Sequence, residues 1–571
     1  MHTIKYKVIT SLEEVKHIDP TLPTFADIET EGLYIGVRLV QLYQPDTSED
    51  IYILDTDKIP LQDIKDFIKP LWTVWYNASY DFGTLNMTTD KFDDLFYLVK
   101  TAFPSFQQYN LDLVISRLGY DSLYEGLDKK TLQKQGFVRG AYLSAAQLRY
   151  AATDVFATSL IWKLPAVQKG RDIIAYKVDI LSLKYAVIYQ QHGLAVDEDR
   201  REELIVQKEK EIEELRPLFP DGFNPNSYIQ VRKYLGTDQS NYEALVMFAA
   251  TDNPKADKAE KLIKLKKSMK ELSYLKSIRF PVMYTKFNPA GAITGRFTSN
   301  GGDLKNGFNA QQIPRAFQPL FKADTEDTEV LGLDYSTLEL RIACSLFGDP
   351  TMYEELMAGK DLHTEMAILA TGKKLHEDGL LGSEYDTILD RNNIGTEFLT
   401  TTDRTLAKSI NFGYVFGMSA ERYTQYAYIS YGIKVSPEKS QELKTLYFAK
   451  YPMFAKYHKN VWNHYKEEDY YYETALGRRV KPKMGTDGIN GPVQGSGAET
   501  TKLAVHYLIK EYPDALNYIF NVVHDAIYLR VPKGTKDMWK KRLEEAMKKG
   551  WTEISKTPAF KYKDIPMPVG D

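Results

Sequence analysis

The sequence predicts an α/β protein of several domains, and three stretches carry that prediction. An apolar run, Val330-Leu331-Gly332-Leu333, stops at Asp334 and gives way to Leu338, Ile342 and Leu346 at four-residue spacing, which reads as a strand feeding a helix. Near the C-terminus, two β-rich arms between Tyr518 and Val531 flank His524-Asp525, a hairpin with Asp525 at its tip. From about Asp199 a charged helix carries a narrow seam of Ile205, Ile212 and Leu215. A second helix with Leu262, Leu265, Met269 and Leu272 matches it as an antiparallel partner. A chain of 571 residues exceeds what one core sustains, so about two to four domains are expected.

Composition narrows the class. Hydrophobic residues make 43% and aromatics 13%, enough for sizeable cores. The 73 basic and 77 acidic side chains leave a net charge of −4, so contact with nucleic acid has to come from local basic surfaces. The single cysteine, Cys344, falls in the apolar helix after Asp334; it excludes an intrachain disulfide and fits a reducing compartment. The N-terminus MHTIKYKVIT is not an apolar leader, and no stretch reaches the ~18 apolar residues of a membrane span. A soluble cytoplasmic protein is expected, without repeats or low-complexity tracts.

Taken in order, the chain first offers Phe25-Ala26-Asp27-Ile28-Glu29-Thr30. On a strand, Asp27 and Glu29 project from one face, as a solvent-facing acidic edge or as the wall of a metal site. Trp75 to Asp81 supplies a further acid, and Leu148 to Asp154 sets Tyr150 and Asp154 four apart on a helix. An apolar helix running from Asp179 is stopped by Gly193. Lys255, Lys258, Lys261, Lys264, Lys266, Lys267 and Lys270 then make the second of the paired helices basic, as a solvated face or a phosphate grip. Thr294 to Ser299 and Asn309 to Pro314 flank a Gly/Asn-rich loop, Asn300 to Phe308.

An aspartate at the end of a strand is often a helix cap. Asp334 gains meaning if the hairpin packs beside its strand and brings Asp525 to it. Two carboxylates about 4 Å apart repel by roughly 4 kcal/mol at an effective dielectric near 20. A shared proton or cations must relieve this, and hard oxygen donors suit Mg²⁺. Two such ions could clamp the attacking and leaving oxygens of a phosphoryl displacement. On the segment Arg404 to Gly417, Arg404, Lys408 and Phe412 share one side of a helix. Like charges at that spacing mildly destabilise a free helix, and a bound polyanion reverses the sign.

Together, Asp334-Tyr335-Ser336 with Glu339-Leu340-Arg341, Arg404 through Gly417, and Val523-His524-Asp525 closely resemble the signatures of the family A DNA polymerases. Asp27, Glu29, Asp81, Tyr150 and Asp154, with Leu127-Asp128-Lys129-Lys130-Thr131-Leu132-Gln133, resemble proofreading 3′–5′ exonuclease domains and ribonuclease D. The resemblance covers nearly the whole chain. It implies a ribonuclease-H-like 3′–5′ exonuclease domain over residues 1–170, followed by a right-hand polymerase domain over 171–571. The thumb is expected at about 197–285, the palm at about 286–347 and 475–571, and the fingers at about 348–474.

The resemblance also implies roles. Asp334 and Asp525, with the backbone carbonyl of Tyr335, would hold two Mg²⁺. Arg404, Lys408 and His363 would face the triphosphate, with Lys408 the acid for the leaving pyrophosphate. Phe412 and Phe416 would lie at the incoming base, and Glu339 would crowd the ribose 2′ position. Arg296, Gln311, Asn490, Gln494 and His524 would contact primer-template DNA. Asp27, Glu29, Asp81 and Asp154 would hold two further divalent ions, with Tyr150 orienting the attacking water; with all five positions filled, a live exonuclease is expected. The implied partners are primer-template DNA and dNTPs, with no membrane; a monomer is expected, and the sequence does not tell whether a processivity factor joins it.

The chain also departs from the family pattern. Ala526 stands where many members carry glutamate, Phe416 where tyrosine is usual, and Thr486 where the bacterial enzyme has arginine. An insertion is expected around Leu375 to Thr402. No 5′-nuclease domain is expected ahead of residue 1, as in the compact phage polymerases or a polymerase I large fragment. The expected function is a DNA-directed DNA polymerase with proofreading, probing three rivals: a single-subunit RNA polymerase, opposed by Glu339 and the exonuclease motifs; a decayed DNA-binding protein, opposed by intact Asp334, Asp525 and Lys408; and an exonuclease whose second half only holds DNA.

Overall fold

The computed structural model describes residues 4–321, 325–377 and 399–570; most of the insertion expected around 375–402 lies outside them. The N-terminal sheet contains β1 (Lys5–Ile9), β2 (Thr24–Gly32), β3 (Ile35–Tyr43), β4 (Asp50–Asp55), β5 (Trp72–Trp75) and β6 (Lys91–Asp94). Their order is β1-β4-β3-β2-β5-β6, with β2 antiparallel to β3 and parallel to β5. The helix Ala145–Trp162 starts at a capping box, where the Ser144 and Gln147 side chains satisfy each other's backbone N–H groups, and its small residues Ala151 and Ala152 let it lie close on β2. This is the α/β arrangement expected for the first part of the chain.

The helix Ile174–Tyr189 belongs to two cores. Tyr176, Leu183 and Val187 join the N-terminal core, while Ala175, Val178, Ala186 and Tyr189 join the larger C-terminal one. Gly193, at φ +66°, then turns the chain so closely past a neighbouring segment that a Cβ would lie 2.5 Å from Val282. Only a residue without a side chain fits there. β7 (Leu194–Ala195) pairs with β8 (Val282–Met283), closing off the helical arm between them.

That arm is the expected helix pair. Glu198–Leu215 and Ala256–Ser277 pack together, with Leu215, Leu262 and Leu265 buried and Ile212 and Met269 beside them. Leu275 is fully buried, whereas Leu272, placed in the seam by its spacing, is only half-buried. Lys208 bridges Glu211 and Glu271 across the pair at 2.9 Å to each. Lys258, Lys264, Lys267 and Lys270 remain on the exposed side.

A short hairpin, β9 (Lys286–Asn288) with β10 (Thr298–Asn300), leads into β11 (Thr328–Tyr335). β12 (Tyr472–Glu473) and β13 (Arg479–Val480) form a second hairpin. β14 (Ile519–Val523), β15 (Ala526–Pro532) and β16 (Val569–Gly570) complete a four-stranded sheet in the order β14-β15-β11-β16. Leu331, Leu333, Ile527 and Leu529 bury one face of this sheet, each contributing about 1.5–3 kcal/mol. On the other face Tyr528 lies over Gly332, where a Cβ would come within 2.4 Å of the ring. Helices Leu362–Glu377, Thr401–Val415, Ala420–Tyr431, Pro437–Lys450 and Pro452–His464 build the segment between the two halves of this sheet.

Candidate functional site

β11 and β15 run antiparallel, with Leu333 opposite Ile527, so both strands deliver their polar ends to one edge. His524 and Asp525 form the turn between β14 and β15, and His524 takes φ +55°. Thr337, in the turn from β11 into the helix Leu338–Phe347, takes φ +53°. A left-handed conformation costs a non-glycine residue about 1 kcal/mol or more and persists where surrounding structure imposes it. These two turns flank Asp334 and Asp525, whose side chains are hydrogen-bonded to each other. Burial pushes the Asp525 carboxyl above its ordinary range.

Two clefts meet at Asp334, Asp525, His524 and Lys408. The smaller, about 430 Å³, is also walled by Arg296, Tyr335, Glu339, His363 and Phe412. The larger, about 840 Å³, runs over the open face of the sheet past Gln311 toward Lys536 and Lys540. The helix Thr401–Val415 supplies Lys408 and Phe412 to the smaller cleft; its Thr400–Asp403 capping box fixes its start. Phe416 ends that helix, half-buried against the core.

Within the smaller cleft, Arg296 donates to Glu339 at 2.5 Å, so the two form a bar across it. Burial raises the Glu339 carboxyl, and the Arg296 charge opposes that rise. Arg404 lies further along the helix, outside the cleft wall, with its guanidinium on the Asp361 carboxylate. The buried His363 accepts at Nδ1 from Asn411 Nδ2, 2.9 Å away. Asn411 Nδ2 also donates to the Leu362 carbonyl, which sets the amide and leaves the imidazole proton on Nε2. Burial pulls the His363 pKa down to about 4, so at neutral pH it is an uncharged donor.

Tyr335 is buried with its hydroxyl on the Met547 carbonyl, 2.7 Å away. Arg341, on the helix Leu338–Phe347, is buried. It donates to the Ser336 and Pro566 carbonyls at 3.0 and 2.6 Å, because the C-terminal segment returns over that side. Gln311 reaches the Val522 carbonyl at 3.4 Å. Asn490 and Gln494, on the helix Gly485–Glu511, line a third cleft of about 440 Å³ with Lys481 and Lys483 rather than the carboxylate clefts.

The second acid cluster sits on the N-terminal sheet. Asp27 and Glu29 on β2 meet Asp154 from the helix Ala145–Trp162, with one carboxylate oxygen of each within 4.8 Å of the others. Asp81, on the helix Ala78–Leu85, adds a buried Oδ1 that has no hydrogen-bond partner. Burial, then mutual repulsion, pushes Asp27, Glu29 and Asp81 well above the carboxylate range. Burial also raises Asp154, against the pull of Lys129, Tyr124 and Tyr150. Tyr150 bonds the Asp154 carboxylate from one helical turn away. A close set of hard oxygens with one buried oxygen left over fits divalent cations.

Some contributors carried no sequence signal. Asp361 and Asn411 hold Arg404 and His363, and Lys129 lies 3.9 Å from Asp154. Asp361 lies two residues before His363, and Lys129 lies within the segment Leu127 to Gln133, but nothing in their spacing marked them as partners.

A family model described as DNA polymerase family A matches residues 202–378 and 390–557. A DNA polymerase I of Aquifex aeolicus (strain VF5) is 28% identical over 590 residues, covering 94% of this chain and 93% of that protein. The thermostable DNA polymerase I of Thermus aquaticus is 28% identical over 263 residues, which span 44% of this chain and 28% of that protein. Among solved structures, the POL domain of Pol1 from M. smegmatis, in complex with DNA primer-template and dNTP, superposes with a TM-score of 0.71. It has 18% identity over 98% of this chain and 96% of that one, a likeness of fold.

Proposed function

The chain belongs to DNA polymerase family A, and from that premise we propose that it extends a primer 3′ end with dNTPs and proofreads with a 3′–5′ exonuclease in its N-terminal part. The observation that carries the polymerase reading is the pairing of Asp334 with Asp525 where two clefts meet. One cleft suits a nucleotide and the other the strand that attacks it. Divalent ions between these carboxylates would activate the primer hydroxyl and take up charge on the leaving pyrophosphate.

The chain's own groups supply the rest. Lys408, exposed at the junction of both clefts, donates a proton to the leaving pyrophosphate. His363 offers its Nε2–H to a phosphate oxygen without adding charge. Arg404 exchanges Asp361 for the triphosphate as the nucleotide enters. Phe412 stacks on the base. The Arg296–Glu339 bar occupies the space a ribose 2′-hydroxyl would need, which favours dNTPs and disfavours the RNA polymerase reading. At the N-terminal cluster Asp27, Glu29, Asp81 and Asp154 would hold divalent ions and Tyr150 would orient a water, in line with a hydrolytic role for that cluster. We place the domain limit at 170/171, just before the helix Ile174–Tyr189, which contributes to both cores.

One gel tests the whole reading: a 3′-mismatched primer on template with Mg²⁺ and no nucleotide, dNTPs or NTPs. Shortening without nucleotide, extension with dNTPs after removal of the mismatch, and little extension with NTPs are expected. Extension by NTPs as efficient as by dNTPs would establish the rival polymerase. Shortening with no extension would reduce the chain to a nuclease.

A further inference from the structure

The loop Thr294–Phe297 carries Arg296 into the nucleotide cleft, and a buried ionic cluster holds it from the opposite side. Lys502 Nζ donates to the Gly295 carbonyl at 2.7 Å and to Asp179 Oδ1 at 2.6 Å. Arg478 Nη2 donates to Asp179 Oδ2 at 2.7 Å, and its Nε lies 3.9 Å from Glu499. Asp179, Lys502 and Glu499 are at most 1% exposed and Arg478 is 4% exposed. Gly295 takes φ +85°, and a Cβ there would come within 2.5 Å of the Arg478 guanidinium, so the loop rests directly on the cluster. The next residue, Arg296, reaches Glu339.

Buried ion groups of this kind are often no better for stability than an apolar replacement, whereas the positions of their partners are tightly fixed. Here the fixed partner is the backbone one residue before Arg296. We propose that the Asp179–Lys502–Arg478 cluster is a positioning device for sugar selection: it sets the Gly295 backbone so that Arg296 holds Glu339 across the nucleotide cleft. The proposal rests on the reading that Glu339 faces the ribose. Lys502, Asp179 and Arg478 are positioning residues; none touches the nucleotide.

The test is single-nucleotide primer extension, with kcat and KM measured for a dNTP and for the matching NTP. Lys502→Met is expected to lower the dNTP-over-NTP preference in kcat/KM by about tenfold, and Lys502→Arg to retain part of it. In a Glu339→Ala background, where the preference is already reduced, Lys502→Met is expected to lower it no further. A Lys502→Met enzyme slowed equally on both sugars, or a loss that adds fully to that of Glu339→Ala, would overturn the proposal. If Lys502→Met does not fold, Asp179→Asn, which keeps the side-chain shape, carries the same expectation and the same refutation. A wild type without preference for dNTPs would instead overturn the underlying reading of Glu339.

Discussion

Replacing Glu29 with Gln should stabilise the ion-free protein and weaken its response to Mg²⁺. Glu29 lies within 4.8 Å of both Asp27 and Asp154. At that distance two full charges repel by about 3.5 kcal/mol at an effective dielectric near 20. The ion-free wild type avoids part of this by retaining protons, which is why its carboxyls titrate high. The folded pKa values lie above the unfolded ones, so the unfolded chain binds fewer protons and stability falls as pH rises above about 4. Near pH 8, Glu29→Gln should recover about 2–3 kcal/mol, or about 5–10 °C in the unfolding of a domain of this size. Mg²⁺ at about a hundred times its dissociation constant should raise wild-type stability by about 2.7 kcal/mol. The variant should gain far less. Scanning calorimetry with EDTA or Mg²⁺ at two pH values reads both effects. Equal ion-free transitions in the two proteins, with equal shifts on adding Mg²⁺, would refute the electrostatic reasoning.

Phe412→Tyr places a hydroxyl on the cleft wall beside His363, where it could bond a nucleotide that lacks its own 3′-hydroxyl. Dideoxynucleotide incorporation should improve by about a hundredfold in competition assays against dNTPs; unchanged discrimination would contradict that placement. Lys100 is buried with its ammonium on the Ala290 and Gly291 carbonyls, and burial lowers its pKa to about 7. Between that value and an unfolded value of about 10.4, the unfolded chain binds more protons, so stability should rise with pH by up to about 1.4 kcal/mol per unit. Lys100→Met should flatten that slope in urea unfolding at pH 7.5, 8.5 and 9.5, and an unchanged slope would count against it.

What could be read in advance was whatever a short stretch encodes by itself. The run into Asp334, the polar pair between two β-rich arms and the four-residue spacing of Arg404, Lys408 and Phe412 each fix a local geometry, and the structure shows the strand, hairpin and helix they describe. Their meeting depends on β11 pairing with β15 across nearly two hundred residues, for which no periodicity gives a register. The buried charges were harder still. Asp179 meets Lys502 and Arg478 only because the helix Ile174–Tyr189 packs against Gly485–Glu511, and each reads alone as an ordinary polar residue on a helix or turn. The burial of Arg341 likewise depends on a distant partner, the returning C-terminal segment that covers it. The short strands β7 to β10 lie in stretches too brief or too glycine-rich to announce a strand.

The most direct measurement is primer extension by Asp334→Asn and Asp525→Asn, each compared with wild type at saturating dNTP and Mg²⁺, with primer-template affinity measured alongside. If the two carboxylates jointly hold the ions that drive the displacement, each variant should bind DNA about as well as wild type and extend it at least about a thousandfold more slowly. Extension at the wild-type rate by either variant would contradict the account.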